Sequence, residues 1–412
     1  MTSPLTCRFC HHDLTRTFVD LGMTPLANSY LHEERDIPAE KSYPLHARVC
    51  THCFLVQVED VVPAEDIFSD YAYFSSYSSS WVAHAHAYAQ KLIDQLDLDE
   101  NSLVVEIASN DGYLLKHFVD RRIPVLGIEP AANVAKAAEK VGARTEVAFF
   151  GVETAQRLAR DGHQADLMVA NNVMAHVPDI NDFIGGVPIL LASDGVFTIE
   201  FPHLLNLIEK VQFDTIYHEH YSYLSLLTVE KILAAHGLKV FDVEELSTHG
   251  GSLRVYACHQ DASDYTETPR LTALREKEEA AGLDSLAAYQ NFTPRVEKIR
   301  DDLVAFLTRA KAENKKVAAY GAAAKGNTLL NYCTINTELI DFVVDRNPEK
   351  QGTLLPGSHI PVFAPDKIWD AKPDYVLILP WNLADEITSD MAAIKDWGGQ
   401  FVIPIPELKV FS

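Results

Sequence analysis

The sequence predicts an α/β protein made of a small cysteine-containing amino-terminal lobe, a doubly wound and mainly parallel sheet, and a smaller carboxy-terminal α/β domain. Three observations predict this fold class. Two Cys-x-x-Cys pairs lie near the start, two series of short apolar segments alternate with helical patterns, and a charged helical stretch separates those series. A chain of 412 residues is long enough for two or three domains, and we place them at 1–70, 71–265 and 266–412.

Composition excludes several classes of partner. The chain has 35 Lys+Arg against 58 Asp+Glu, a formal net charge of -23, whereas nucleic-acid surfaces are basic. No apolar run approaches the roughly 20 residues that cross a bilayer, and the start has no basic segment followed by an apolar one. We therefore expect a cytoplasmic protein without nucleic-acid or membrane partners. The sequence leaves the oligomeric state open and is compatible with a monomer.

The two cysteine pairs predict a structural zinc site. Each pair is a tight knuckle that offers two thiolates, and two knuckles complete a closed tetrahedral set. Redox dithiols are the alternative, but a redox pair usually stands alone near a βαβ unit. Nearby histidines (His11, His12, His52) are less suitable ligands. The expected ligands are Cys7, Cys10, Cys50 and Cys53.

The middle of the chain alternates strands and helices. The expected strands are Leu103–Ile107, Val125–Glu129, Asp166–Ala170 and Gly195–Phe201. Ligands of such sheets bind at the carboxyl ends of the strands. The first turn, 108–112, is not Gly-x-Gly-x-x-Gly, so no nicotinamide site is predicted there.

The residues at these strand ends resemble the S-adenosylmethionine site of class I methyltransferases, which have a Rossmann-like sheet. The resemblance implies that the loop after the first strand lies under the methionine part and that the acid after the second strand holds the ribose. The sequence departs from the common pattern at Ala108, where glycine is usual. The implied cofactor residues are Glu106, Ala108, Asn110, Asp111, Gly112, Glu129, Pro130, Asn171, Asn172 and Val173.

The segment Tyr217-His218-Glu219-His220 concentrates imidazoles, a carboxylate and a phenol. Histidine titrates near neutrality, so such a segment suits proton transfer. An ordinary polar loop or a metal site are the alternatives, although the His-Glu-x-x-His spacing of zinc proteases is missing.

The second α/β series starts near residue 316. Strands are expected at Lys316–Tyr320, Ile340–Val344, Tyr375–Leu379 and Phe401–Ile405, with a helix at Ala384–Trp397. The turn before Asn327 contains Lys325 and could seat a phosphate at a helix N-terminus or simply pack closely. It is not a Walker A loop.

Nearly the whole chain resembles the S-adenosylmethionine-dependent sugar C-methyltransferases that act on nucleotide-linked keto-deoxysugars. The resemblance rests on the four cysteines and on Pro25–Asn28, Asp70–Tyr73, Glu106–Gly112, Asn171–His176, Tyr217–His220, His249–Arg254 and Gly321–Asn327. It implies C-methylation of a dTDP-linked 4-keto-deoxysugar next to its ketone, with a Rossmann-like carboxy-terminal domain that binds the nucleotide-sugar. It names His220 as the base and His176, Glu219, Tyr217 and Tyr71 as active-site partners.

The chemistry of carbon methylation suits these residues. A carbon becomes nucleophilic when a base removes its proton and the resulting enolate oxygen is stabilised by hydrogen-bond donors. We expect Asn172, Arg254, Lys325 and Tyr217 to contact the substrate. The alternatives are an O- or N-methyltransferase, an oxidoreductase that uses the carboxy-terminal domain, and a zinc-ribbon interaction protein.

Overall fold

A computed structural model gives the fold and describes residues 5–63 and 75–412. Its strands, numbered in chain order, are β1 Arg16–Thr24, β2 Tyr43–Val49, β3 Val56–Gln57, β4 Val104–Ile107, β5 Val125–Ile128, β6 Thr145–Glu146, β7 Ala165–Asn171, β8 Leu191–Pro202, β9 Ser222–Tyr223, β10 Leu238–Leu246, β11 Ser252–His259, β12 Val317–Tyr320, β13 Phe342–Val344, β14 Val362–Phe363, β15 Tyr375–Ile378, β16 Gln400–Ile403 and β17 Lys409–Phe411.

The α-helices of the described residues are numbered in the same way. They are α1 Ser79–Gln95, α2 Lys116–Val119, α3 Ala132–Lys140, α4 Val152–Arg160, α5 Ile180–Leu190, α6 Leu204–Glu209, α7 Leu226–Ala235, α8 Pro269–Ala280, α9 Ala287–Gln290, α10 Phe292–Ala312, α11 Ala324–Tyr332, α12 Lys367–Ala371 and α13 Ala384–Asp390.

The central sheet confirms the predicted class I methyltransferase fold. Its strand order is β10-β11-β8-β7-β4-β5-β6, and β4 to β8 run parallel. The antiparallel β10 and β11 close the sheet beside β8. Strand β6 was not predicted, because its two residues carry no apolar pattern. The carboxyl ends of β4, β5 and β7 meet at one edge, where the predicted cofactor residues lie.

The carboxy-terminal sheet is the expected second α/β unit. Its order is β14-β13-β12-β15-β16-β17, parallel except for the last strand. The helix expected at Ala384–Trp397 is interrupted: α13 ends at Asp390 and a 3-10 turn covers Ala392–Trp397. Gly398, with φ of +83°, ends that turn in the left-handed conformation that glycine adopts without steric cost.

The amino-terminal sheet joins the lobe to the middle of the chain. Its order is β1-β2-β3-β9, and β9 follows directly after the Tyr217–His220 segment. Val56 pairs with Tyr223 and Gln57 pairs with Ser222. The lobe therefore holds the chain just past His220 by main-chain hydrogen bonds.

The hydrophobic cores cross the boundaries between the three parts. Cys7, Cys50 and Cys53 belong to a buried cluster that also includes Ile180 and Phe183 of α5. On the other face of the central sheet, α1 buries Tyr88 and Leu92, while Trp81 and His84 are only partly buried. This helix thus leads from the core to the crevice at the strand ends. Among the helices of 5–63 and 75–412, none combines the length and apolar character needed to cross a membrane.

Candidate active site

The four cysteines form one cluster. Their sulfur atoms all lie within 4.8 Å of one another, and the shortest distances join Cys7 to Cys53 and Cys10 to Cys50, each 3.5 Å. Tetrahedral zinc with Zn–S bonds of about 2.3 Å requires sulfurs about 3.8 Å apart. Because the close pairs join different knuckles, the set fits one metal ion better than two separate dithiols.

Polar groups of the lobe complete this metal site. The Gln57 side chain donates to the sulfur of Cys7 at 3.2 Å, and the amide of His52 donates to Cys50 at 3.4 Å. Such donors stabilise thiolate ligands. With four sulfurs the set is closed, so the metal would hold the lobe together and would leave no position for a substrate.

The turn after β4 has an unusual backbone. Ala108, Asn110 and Gly112 all have positive φ angles, of 54°, 50° and 76°. Ala108 thus takes the left-handed conformation that glycine adopts in the common pattern, at a cost of roughly 1–2 kcal/mol. The turn is fixed from outside, because the Ala108 amide donates to the Ile128 carbonyl at 2.7 Å.

The carboxyl groups of Glu106, Asp111 and Glu129 surround this turn, and none of them forms a salt bridge with a described residue. The Glu129 carboxylate accepts from the amides of Asn110 and Ala131, each at 2.9 Å. Burial, together with the charges of Glu129 and Asp111, raises the pKa of Glu106 well above its usual range. The environment therefore suits a ligand that donates hydrogen bonds or carries positive charge.

Buried polar atoms that have no hydrogen-bond partner within residues 5–63 and 75–412 indicate where such a ligand would bind. They are one carboxyl oxygen each of Glu106 and Asp111, the amide oxygen of Asn171, and both amide atoms of Asn172. Buried polar groups are nearly always satisfied in native proteins. S-Adenosylmethionine carries an ammonium group, a sulfonium and two ribose hydroxyls, which fits the oxygen acceptors of this set. Pro130 and Val173, also predicted, are partly buried beside Glu129 and Asn172.

His220 has a defined tautomer. Its Nδ1 lies 2.9 Å from the carbonyl oxygen of Thr215, and its Nε2 lies 2.8 Å from the hydroxyl of Tyr217. A carbonyl can only accept, so Nδ1 carries the hydrogen and Nε2 of the neutral ring has the lone pair. The Tyr217 hydroxyl donates to that lone pair. Burial, and second the proximity of His176, lower the pKa of His220 well below 6.5.

His176 packs against His220 from the loop after β7. The two ring centroids are 4.7 Å apart and the rings meet edge to face. Nδ1 of His176 donates to the carbonyl oxygen of Glu219 at 2.8 Å. Burial lowers the pKa of His176 to about 4, so this imidazole is neutral at physiological pH. The structure therefore brings His176, Tyr217, Glu219 and His220 together, as the sequence predicted.

The Glu219 carboxylate is held by the amino-terminal lobe. Asn28 donates to it at 2.7 Å. Burial raises the pKa of Glu219, and the Asn28 hydrogen bond and the Lys350 charge partly offset that effect. Asn28 was not predicted as a site residue, although it belongs to the Pro25–Asn28 motif. Glu200, also not predicted, is buried near the end of β8 and accepts from His84 at 2.9 Å.

Lys325 lies where the carboxy-terminal domain meets the Tyr217–His220 segment. Its ammonium group donates to Asn382 at 2.7 Å and stands 4.9 Å from the ring centroid of Trp381. The Trp381 indole donates to Asp214 at 2.7 Å. Burial is the main cause of the lowered pKa of His220, and the Lys325 charge adds to it.

Arg254 differs from the prediction of a substrate-binding cation. Its guanidinium is buried and pairs with Glu200 at 2.8 Å and with Glu244 at 3.3 Å. It lines a cavity of about 650 Å³ between α1 and α8. Other cations of that cavity are paired as well: Lys91 with Glu244, Arg270 with Asp242 and Glu244, and Lys277 with Glu245. Arg254 therefore stabilises the sheet beside the crevice. Tyr71, also predicted for the site, lies outside the described residues.

Comparison with known proteins identifies the family. Three family models match successive parts of the chain: a zinc binding domain over residues 7–68, a methyltransferase domain over 81–243, and a C-methyltransferase C-terminal domain over 247–406. The C-methyltransferase NovU of Streptomyces niveus is 36% identical over 406 residues, covering 98% of this chain and 96% of that protein. The chain belongs to the C-methyltransferase family. This C-methyltransferase therefore uses S-adenosylmethionine, and its four cysteines form the family's zinc-binding set.

Solved structures overlap with about half of this C-methyltransferase. The PH0226 protein of Pyrococcus horikoshii OT3 covers 47% of the chain, at 13% identity and a TM-score of 0.37. Magnesium protoporphyrin IX methyltransferase of Synechocystis PCC 6803 covers 49%, at 13% identity and a TM-score of 0.36. The family assignment depends on the family models and the full-length relative.

The cysteine cluster predicts one zinc ion per chain. We expect Cys10→Ser to lose the zinc and to lower the melting temperature, because three thiolates no longer close the site. The control is Cys333→Ser, which removes a buried lone cysteine and should retain the metal. Metal analysis of the purified proteins checks this. Full zinc content in Cys10→Ser would contradict the assignment.

Glu129, the acid after β5, is expected to contribute to cofactor affinity. We expect Glu129→Gln to weaken S-adenosylmethionine binding about tenfold to a hundredfold, since a hydrogen bond to a charged group contributes about 1.5–3 kcal/mol. Glu139→Gln, on the exposed face of α3, is the matched control. Titration calorimetry measures both dissociation constants. Equal affinity of the two variants would remove Glu129 from the site.

Proposed function

We propose that this C-methyltransferase methylates a nucleotide-linked 4-keto-deoxysugar at the carbon next to its ketone, with dTDP as the expected nucleotide and His220 as the base. The observation that carries the proposal is the lone pair on His220 Nε2, fixed by the Nδ1 hydrogen bond to Thr215 and directed at the Tyr217 hydroxyl. Bound S-adenosylmethionine supplies an electrophilic methyl group. The protein's own residues have to make the substrate carbon nucleophilic.

In this scheme the Tyr217 hydroxyl changes its acceptor when substrate binds. In the absence of substrate it donates to His220 Nε2. Movement of the Tyr217 side chain takes its oxygen off the Nε2 lone pair and turns its hydrogen toward the ketone oxygen. The imidazole can then take the proton on the neighbouring carbon. One hydroxyl thus serves both the base and the enolate oxygen.

Neighbouring groups orient this pair. His176 flanks His220 edge to face and is neutral. Because its hydrogen is on Nδ1 and is donated to the Glu219 carbonyl, its Nε2 carries a lone pair and adds no charge beside the sugar. Glu219, held by Asn28, is placed to bind a sugar hydroxyl or amine. Asn172, whose amide atoms have no partner among the described residues, lies at the end of β7 between the cofactor residues and His176.

The carboxy-terminal domain is proposed to bind the nucleotide diphosphate. Lys325 is a partly buried cation in the small-residue turn that opens α11, the helix whose Thr328 donates to the Ile216 carbonyl. An ammonium group and the amides of a helix start together suit phosphate oxygens on an otherwise acidic protein. The sugar would then extend from this turn toward His220. Arg254, whose guanidinium pairs with Glu200 and Glu244, is a less suitable cation for this contact.

Replacing His220 tests the base directly. We expect His220→Asn to reduce methyl transfer about 10²- to 10⁴-fold, the usual contribution of a general base. Uptake of solvent deuterium at the carbon next to the ketone should be lost together with methyl transfer. The assay uses a dTDP-4-keto-deoxysugar and mass spectrometry.

His218→Asn is the control for losing an imidazole from the same segment, because His218 faces the lobe and contacts the Pro44 carbonyl. It should keep most of the activity. Near-normal transfer by His220→Asn with intact cofactor binding would reject the base, and a methyl group found on oxygen or nitrogen would reject carbon methylation.

The lowered pKa of His220 predicts an unusual pH profile. A base must be unprotonated, and its pKa lies well below 6.5, so activity should persist on the acid side of 6.5 and fall only at lower pH. His176 contributes to the lowering, so His176→Asn should shift the acid limb of kcat/KM upward even though the rate itself falls. Steady-state kinetics across pH give both limbs. A wild-type limb at or above 6.5 would contradict the assignment.

A further inference from the structure

Arg8 is a buried arginine between two metal-ligating cysteines. It lies between Cys7 and Cys10, and its side chain is only 9% exposed. Three acceptors bind its guanidinium: the carbonyl oxygens of Pro178 at 2.7 Å and Val58 at 2.6 Å, and the carboxylate of Asp60 at 2.8 Å. Its central carbon also lies 5.3 Å from the ring centroid of Tyr221. Apart from Asp60, these contacts are inside the protein.

Arg8 contacts both of the segments that carry His176 and His220. Pro178 comes two residues after His176, and Tyr221 comes directly after His220. Val58, the third contact, donates its amide to the Tyr221 carbonyl at 3.1 Å. One planar guanidinium therefore spans the loop after β7 and the start of β9. A rigid fork of donors holds such a geometry in a way that a lysine cannot.

We propose that Arg8 is a positioning residue that fixes the His176 and His220 rings relative to each other; the inference rests on the catalytic roles proposed above. The rings are 4.7 Å apart and belong to different segments, so their spacing depends on what ties those segments together. A misplacement of about 1 Å at a catalytic group costs about 10²-fold in rate.

Hydrogen bonds around the first knuckle hold the main chain of this arginine in place. Asn181, at the start of α5, donates to the carbonyl oxygens of Arg8 and Phe9 at 3.1 and 2.9 Å. The Arg8 amide donates to Gln57 at 2.9 Å, and Gln57 donates to Cys7. Main chain and side chain of Arg8 are thus both constrained. The zinc site would contribute to the reaction only by keeping this knuckle rigid.

The test compares Arg8→Lys and Arg8→Gln in the full-length, zinc-loaded enzyme. Arg8→Gln keeps N–H donors and removes the charge. Two different substitutions are used so that the result does not depend on the folding of one variant. The control is Asp60→Asn, which removes the half-exposed ion pair and leaves the internal contacts. Measurements are zinc content, S-adenosylmethionine affinity, kcat and KM, and histidine-labelled NMR of the imidazole resonances, assigned with His176→Asn and His220→Asn.

We expect both Arg8 variants to retain zinc and cofactor affinity, to lose about tenfold to a hundredfold in kcat with a small change in KM, and to shift the His176 and His220 resonances. Asp60→Asn should behave like wild type. Unchanged resonances and kcat would overturn the proposal. So would a loss of kcat that follows a loss of zinc, because Arg8 would then act only in metal retention.

The spectroscopic part needs no substrate. If the methyl acceptor or the base proves different, the His220 and deuterium experiments fail while the effect of Arg8 on the two rings remains measurable. If Arg8 has no positioning role, the resonances stay unchanged while those experiments still succeed. The two failures are therefore distinguishable.

Discussion

The hydrogen bond from His220 Nδ1 to the Thr215 carbonyl is the constraint on which the candidate site depends. It determines which nitrogen of the ring is basic, and it acts within a segment that has little regular structure of its own. The Thr215 carbonyl is held in position because the carboxy-terminal domain binds the residues on either side of it. Thr328 of α11 donates to the Ile216 carbonyl at 3.0 Å, and the Trp381 indole donates to Asp214. A tautomer is thereby selected by tertiary contacts.

Burial has opposite effects on the two kinds of titratable group in this crevice. It disfavours charge, so histidine pKa values fall while carboxyl pKa values rise, as for Asp214, whose pKa is raised to about 6. A neutral imidazole is an acceptor for protons, and a crevice that holds several carboxyl groups suits a cationic cofactor better than an anionic one. In the proposed function, an acidic protein with a net charge of -23 binds a cationic methyl donor together with an anionic substrate, and Lys325 is the cation proposed to meet the anion.

The sequence predicts a structural feature when the residues that determine it lie close together in the chain. The cysteine set and the strand-end residues from Glu106 to Asn172 follow from short spacings and strand periodicity, and the structure brings them together as expected. Arg254 could not be interpreted in the same way, because its partners Glu200 and Glu244 are set by the register of β8, β10 and β11. Arg8 gave no signal either: an arginine inside a knuckle has no pattern that indicates contacts 170 residues away.

The contacts of Trp381 and Thr328 also limit how such enzymes can be recombined. Both residues belong to the carboxy-terminal domain, yet they contact the loop that carries His220, the proposed base. Grafting a foreign carboxy-terminal domain to change substrate preference would deliver a new binding surface and, at the same time, remove the supports of Asp214 and Ile216. A working chimaera would need matching side chains on both sides of that junction. Substrate preference and reactivity would therefore have to be exchanged together.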